Sequence, residues 1–395
     1  VTTRSDMALE ILLIPLAALL APILGALLRR WVSIPLIVFE ILLGILIGPS
    51  VLGWVQGGNA LDLMSNLGLA LLFFMAGNEI DIANIRGRTG KRALAAWGIS
   101  IAIALAAALI IGTTPAAIAI ITIALVGTAL GTITPILRDA GLNKGPIGTA
   151  ISAAGAIGEF GPLVAITIFL GSNSPIVAFG YLAVFTGVAT FAFFRASHRE
   201  RPWLAQMVST SLHTSGQFAV RVVMALLAAL VTLALTLGVD FLLGAFCAGM
   251  LSKVLLRGVP SNEQELVEGK LEGLAYGFMI PIFFVTSGVM FPLSALLEDT
   301  RALIMVPVFA LVILVVRGVP GFFTLDRGAT VRDRATVSLF TATSLPLIIA
   351  VTNIGVQEGA LSTELAAALV GAGMLTVLLY PLLALAVSDP QKVGR

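Results

Sequence analysis

The chain has 395 residues, 58% of them hydrophobic and only 11% charged, with a mean hydropathy of +1.05 and a formal net charge of +2. Apolar stretches of about 20 residues, the length that crosses a bilayer as a helix, recur from end to end, so no soluble domain, nucleic-acid partner or cofactor is expected. The single Cys247 excludes an intrachain disulfide, supplies no metal-ligand set and reads as a small packing residue.

The predicted elements are about thirteen membrane spans. Their approximate limits are 8–28, 33–49, 63–81, 91–111, 115–138, 145–170, 175–195, 216–237, 239–257, 269–291, 301–324, 332–355 and 361–387. The first is too long for a signal h-region and lacks a basic start, so it reads as a retained helix. Loops after odd-numbered spans hold the basic residues: Arg29 and Arg30; Arg86, Arg88, Lys91 and Arg92; Arg138 and Lys144; Arg195, Arg199 and Arg201; Lys253, Arg257 and Lys270; Arg327, Arg332 and Arg334. Loops after even-numbered spans hold almost none, Arg301 being the exception. The positive-inside bias then places the chain in the cell membrane with its amino terminus outside and its carboxyl terminus cytoplasmic.

Laying spans 1–6 on spans 8–13 brings out an internal repeat. LLGILIG at 42–48 matches LLGAFCAG at 242–249, FFMAG at 73–77 matches FFVTSG at 283–288, and TITPIL at 132–137 matches TSLPLI at 343–348. The offset of seven spans is odd, so the halves, about 8–170 and 216–387, insert with opposite orientation, a transporter signature. Thr134-Pro135 and Leu345-Pro346 are expected break points in spans 5 and 12, because proline removes an amide and pushes the preceding residue out of the helical region. The expected non-helical stretches are Thr132–Pro135 and Thr343–Pro346, with the two spans crossing near mid-bilayer. Hydroxyls nearby, on Thr128, Thr132, Thr134, Thr341, Thr343 and Ser344, either satisfy freed backbone groups or ligate an ion. Ordinary proline kinks rescued by these hydroxyls are the other reading.

Three ionisable residues stand at membrane depth. Glu159 lies within AISAAGAIGEFGPLVAITIFL and Arg317 within LIMVPVFALVILVVRGVPGFF. Such a charge costs about 2.5–3.5 kcal/mol on insertion scales, so these two are where the chemistry is placed. A carboxylate that binds either a proton or a monovalent cation, exposed alternately to each side, exchanges the two. Removal from water favours its neutral form and a nearby guanidinium its charged form. Arginine stays protonated, so Arg317 is a charge partner rather than a second proton carrier, and one carboxylate gives one proton per cation. The competing reading is a fixed Glu159–Arg317 pair joining spans 6 and 11. Glu40, in span 2, lines a funnel in one reading and bonds a neighbouring helix in the other. Glu79 and Asp81 read as membrane-boundary charges, His198 and His213 as solvated, and Arg221 as snorkelling from span 8.

The segments PLIVFEILLGILIGPSVLG, NLGLALLFFMAGNEID, VDFLLGAFCAGMLSK, IPIFFVTSGVM and SLPLIIAVTNIG resemble the membrane domain of monovalent cation/proton antiporters, specifically the second branch with its Kef-like potassium/proton systems. The resemblance covers residues from about 10 to 387. It implies an all-α polytopic fold of thirteen helices over 8–387, with two crossed, discontinuous helices in a mobile core and a dimer-forming panel of spans 1, 2, 8 and 9. It also implies exchange of Na⁺ or K⁺ for protons by alternating access. The family's paired acidic motif of span 6 falls on Gly158-Glu159, where the first carboxylate is missing and the second is glutamate. The family's basic residue of span 11 falls on Arg317, and its hydroxyl cluster of span 5 falls near Thr128. No Kef-type regulatory domain is expected within this chain. The lost acidic pair leaves a different class open: a membrane enzyme using Glu159 as general acid or base, or an exporter of a lipophilic compound. An open apolar cavity at Glu159 would mark either.

Overall fold

The computed structural model describes residues 4–28, 35–80, 87–171, 174–198, 202–211, 216–256 and 259–388. Arg29, Arg30, Asp81, Arg86, Arg199, Arg201, His213 and Arg257 lie outside the described residues. Within them all regular structure is helical. Eleven helices are long and apolar enough to cross a membrane, and two shorter apolar helices, Leu36–Ile47 and Phe241–Leu255, fall where spans 2 and 9 were expected. The interval after the seventh span, expected as loop, contains a helix at Pro202–Ser211.

The helices gather into two compact units. The first contains α1 (Arg4–Leu28), α2 (Leu36–Ile47), α4 (Arg88–Ile111), α5 (Pro115–Val126), α6 (Leu130–Asp139) and most of α7 (Gly145–Phe169). From the second half of the chain it takes most of α13 (Ile280–Val289), then α14 (Leu293–Glu298), α15 (Thr300–Ile313), α16 (Val319–Phe322), α17 (Val331–Thr341), α18 (Pro346–Gln357) and α19 (Thr363–Val387). The second unit contains most of α3 (Asn59–Glu79), with α8 (Pro175–Ser197), α9 (Pro202–Ser211), α10 (Phe218–Thr236), α11 (Phe241–Leu255) and α12 (Ser261–Leu274).

Glycine sets the closest approaches in each unit. In the first, α2 and α13 touch backbone to backbone, Gly44 against the Val285 carbonyl and Gly288 against that of Ile41. In the second, α3 and α11 do the same, Gly77 against the Phe246 carbonyl and Gly249 against that of Phe74. Gly244 lies against the Leu230 carbonyl of α10, where an added Cβ would sit 2.6 Å away. Gly44, Gly48, Gly244 and Gly249, on helices of the panel that the resemblance implies, are thus occupied in packing within the chain. Only a residue without Cβ lets helix backbones come this close.

Two spans are each built from two half-helices. The span Pro115–Asp139 divides into α5 and α6 around Gly127–Ala129, and the span Val331–Gln357 divides into α17 and α18 around Ala342–Leu345. The second break falls where Leu345-Pro346 led us to expect it, with Pro346 as the first residue of α18, where its missing amide costs no bond. The first does not. Thr132–Pro135 lies inside α6, and Thr134 Oγ1 returns to the Leu130 carbonyl at 2.9 Å. The chain opens instead at Gly127, where a Cβ would stand 2.7 Å from Leu347 Cδ2 and 3.0 Å from Ser344 Oγ. Close approach of the other break, rather than proline, fixes the position.

Prolines act on three other helices. Two π-turns, Ala275–Met279 and Leu314–Gly318, each end two residues before a proline, Pro281 and Pro320, which supply no amide to the preceding turn. In α7 the missing amide of Pro162 frees the carbonyl four residues earlier, on Gly158.

Candidate functional site

The two breaks lie against one another. The Ala129 amide donates to the Thr343 carbonyl at 2.9 Å, and the Thr128 amide donates to the Gly158 carbonyl at 3.1 Å. That second bond uses the acceptor that Pro162 releases, so an amide lost to one helix is matched by a carbonyl lost to another.

Arg317 sits in the second π-turn and is 3% exposed. Its Nε and Nη2 donate to Thr128 Oγ1 at 2.9 and 2.6 Å, Nη2 also donates to the Ala154 carbonyl at 3.1 Å, and Nη1 reaches Ser100 Oγ at 3.5 Å. Thr128 Oγ1 passes its own proton to the Thr341 carbonyl at 2.6 Å. The wide π-turn also turns its carbonyls toward α17: Ser338 Oγ donates to Gly318 at 2.7 Å and Thr341 Oγ1 to Arg317 at 3.4 Å. The guanidinium thus faces the carboxyl-terminal ends of α5 and α17, where unpaired carbonyls concentrate negative partial charge.

Glu159, 5% exposed, is held at the opposite kind of end. Its Oε1 accepts from the Gly131 amide at 3.3 Å in the first turn of α6, a helix amino terminus suited to an anion. Its Oε2 is buried with no hydrogen-bond partner. Arg317 forms no ion pair with it, so the fixed pair considered from the sequence is not how these charges are arranged. Helical geometry gives the reason. Ala154, Gly158 and Gly161 recur at four- and three-residue steps and form the face of α7 under Arg317 and Trp97; Gly155 and Glu159 lie on the adjacent face, with Gly155 against Leu130.

Gly158, where the resemblance led one to expect a side chain, is closed to one. A Cβ there would lie 2.5 Å from Arg317 Nη2 and 2.9 Å from Thr128 Oγ1. The guanidinium fills the space of the missing group. Gly161 is covered in the same way by the Trp97 ring.

The remaining sequence candidates divide by geometry. Thr128 is central but saturated, its oxygen accepting twice and donating once. Thr132 Oγ1 and Ser344 Oγ are buried without partners. Thr134 and Thr343 turn their hydroxyls back onto the carbonyls four residues earlier, Leu130 in α6 and Leu339 in α17, at 2.9 and 3.2 Å. Glu40 is buried on α2, with no hydrogen bond or ion pair to Glu159 or Arg317. Among the described residues, no three His, Cys, Asp or Glu side chains gather into a metal-holding group. Reading the sequence missed Ser100, Ala154, Gly131, Trp97 and Thr376; only the Gly158–Pro162 spacing carried a local signal.

Residues 16–385 match the model of the sodium/hydrogen exchanger transmembrane family. The chain is 28% identical to YjbQ of Bacillus subtilis over 94% of its own length, and spans 62% of that relative. It is 24% identical to the Na(+)/H(+)-K(+) antiporter GerN of Bacillus cereus, with 88% of each chain covered. In three dimensions it is similar to the sodium proton antiporter MjNhaP1 of Methanocaldococcus jannaschii, with a TM-score of 0.66, 16% identity and coverage of 97% and 96%. The likeness in structure carries the fold, and the family match carries membership: this chain belongs to the sodium/hydrogen exchanger transmembrane family.

Proposed function

We propose that the chain exchanges a monovalent cation, Na⁺ or K⁺, for a proton by alternating access, with Glu159 as the shared binding group. The observation that carries this reading is the half-used carboxylate: Oε1 is held by the Gly131 amide while Oε2 is buried and unpartnered, with the equally unpartnered Thr132 hydroxyl on the next residue of α6. A proton on Oε2 satisfies the site in one state, and a desolvated cation bridging carboxylate and hydroxyl satisfies it in the other. Only one can be present, which couples their movements. Arg317 remains charged throughout and ties the breaks together through Thr128, so it supplies framework and field rather than a second proton. With one titrating carboxylate the exchange is one for one and electroneutral. Thr128, Thr134 and Thr343 serve the backbone, and Glu40 stands apart from the exchanging group.

In this reading residues 8–387 are one antiporter-like domain of two inverted repeats, about 8–170 and 216–387. The matched glycine contacts of α2 with α13 and of α3 with α11 support it, as do the matched breaks. The two broken helices cross at mid-membrane, the amino terminus faces outward, and two copies associate. The second, Kef-like branch is the resemblance that the motifs carry. Glu159 is enclosed by α6 and α7, and the relatives' names are those of antiporters, so catalysis or export of a lipophilic compound finds no support here. Reconstitution into proteoliposomes, with proton movement followed on addition of Na⁺, K⁺ or Li⁺, tests the proposal. Cation-driven proton flux in at least one case is expected; silence with all three would overturn it.

A further inference from the structure

The second break has an anchor outside both broken spans. Thr376, on α19 and fully buried, accepts the Ser344 amide on its Oγ1 at 3.2 Å and lies within donor distance of the Ser344 carbonyl at 3.0 Å and the Gly373 carbonyl at 2.8 Å. One hydroxyl thus accepts the amide of a residue in the unwound stretch, and its single proton is shared between that residue's carbonyl and the Gly373 carbonyl of its own helix. Gly373, one turn earlier, clears the way: a Cβ there would meet Leu345 Cδ1 at 3.0 Å and the Ser344 carbonyl at 3.1 Å. From Ser344 the bonding continues. The Thr343 carbonyl accepts the Ala129 amide at 2.9 Å, Ala129 precedes α6, and the Gly131 amide holds Glu159 Oε1 at 3.3 Å.

We propose that Thr376 is a positioning residue for cation exchange: its hydroxyl replaces the helical partners that the second break has lost, and so fixes the register in which the start of α6 is presented to Glu159. This rests on the exchange reading above for its functional consequence, though not for its structural one. Thr376 touches neither cation nor proton. It acts through backbone, and what it controls is the geometry of the binding state. Loss of the hydroxyl leaves the buried Ser344 amide unpaired, which the chain relieves by letting residues 342–345 shift. The cation site is then less well formed and weaker, by a larger factor than the turnover of the occupied carrier.

The test compares wild type with Thr376→Val, which keeps shape and removes the hydroxyl, and Thr376→Ser, which keeps the hydroxyl and loses the methyl. Two readouts are taken on the full chain in lipid: the cation KM and kcat of proton-coupled flux, and amide hydrogen exchange of the segment covering 342–346. In Thr376→Val the KM should rise about tenfold, the worth of one buried hydrogen bond, with kcat changed less and the 342–346 amides exchanging faster. In Thr376→Ser both should return to within about twofold of wild type. A merely structural role would lower the amount of folded carrier and leave KM alone. Should Thr376→Val not be recovered folded, Thr376→Ala takes its place with the same expectation. The proposal is overturned if the hydroxyl-free variant keeps wild-type KM and amide protection, or if Thr376→Ser is impaired equally. Failure of the exchange reading looks different: wild type itself would show no flux, while the amide-exchange comparison would still decide whether Thr376 holds the break.

Discussion

The two helix breaks solve one problem with different means. At Gly127–Ala129 the freed Thr128 amide is taken by the Gly158 carbonyl, released in turn by Pro162; at Ala342–Leu345 the freed Ser344 amide is taken by the hydroxyl of Thr376. In the first half of the chain the helix that closes the break, α7, also carries Glu159, and Arg317 is bonded on the neighbouring face. In the second half the closing helix, α19, offers a neutral hydroxyl. Both breaks are fully paired at these amides, as buried backbone must be in the absence of water. Charged side chains bond directly only at the first, Arg317 to Thr128 and Glu159 to the Gly131 amide that follows it. A break in each of two spans is what a repeat would leave behind, and the charge marks the break at which chemistry is expected.

The largest test of that difference removes the carboxylate. Glu159→Gln should reduce cation-dependent proton movement to background in proteoliposomes. Because Arg317 is not paired with Glu159, the unfolding free energy should change by less than about 1.5 kcal/mol, the worth of one neutral hydrogen bond. Full exchange in a folded Glu159→Gln protein would remove the residue from the mechanism, and a stability loss of about 3–5 kcal/mol would restore the ion-pair reading.

Arg317→Leu should do the reverse, costing about 3 kcal/mol because Thr128 Oγ1 and the Ala154 carbonyl lose a buried donor. Thermal unfolding in detergent measures it. Arg317→Lys should recover only part of the loss, since an ammonium lacks the planar fork that reaches both acceptors at once. Equal stability of all three proteins would show that the network around the first break is not held by the guanidinium.

Gly158→Ala is a smaller intrusion at the same place. Its Cβ would press on Arg317 Nη2 and Thr128 Oγ1, at a cost of about 1–3 kcal/mol, as for overpacking in a filled core. A fall in melting temperature for Gly158→Ala in the wild-type background, but no further fall when alanine is added to Arg317→Lys, would show that glycine and arginine fit one space. The smallest effect belongs to Thr134→Val and Thr343→Val, whose hydroxyls bond back to the carbonyl four residues earlier. Each should change stability by about 0.5 kcal/mol and leave the cation KM unaltered. A large rise in KM from Thr343→Val would place that hydroxyl in the site after all.

The sequence alone determined the membrane class, the approximate spans, the pairing of spans 5 and 12 as broken elements, and Glu159 and Arg317 as buried charges. Each of these follows from local properties: apolar length, the missing amide of proline, or the cost of a charge in hydrocarbon. Tertiary structure decided the rest. The first break moved from Pro135 to Gly127 because proline is tolerated within a helix when its surroundings absorb the lost bond, whereas the side chains of Ser344 and Leu347 press so closely on residue 127 that only glycine fits there. The sequence marked Glu159 and Arg317 as charges on spans 6 and 11, but only the packing around α7 shows them against adjacent faces of that helix, Glu159 at the amino terminus of α6 and Arg317 on Thr128 beyond the carboxyl terminus of α5. Thr376 gave no signal in its own span, an apolar helix that also carries the hydroxyls of Thr363 and Tyr380, because its role depends on an amide 32 residues away that becomes unpaired only when α17 and α18 separate.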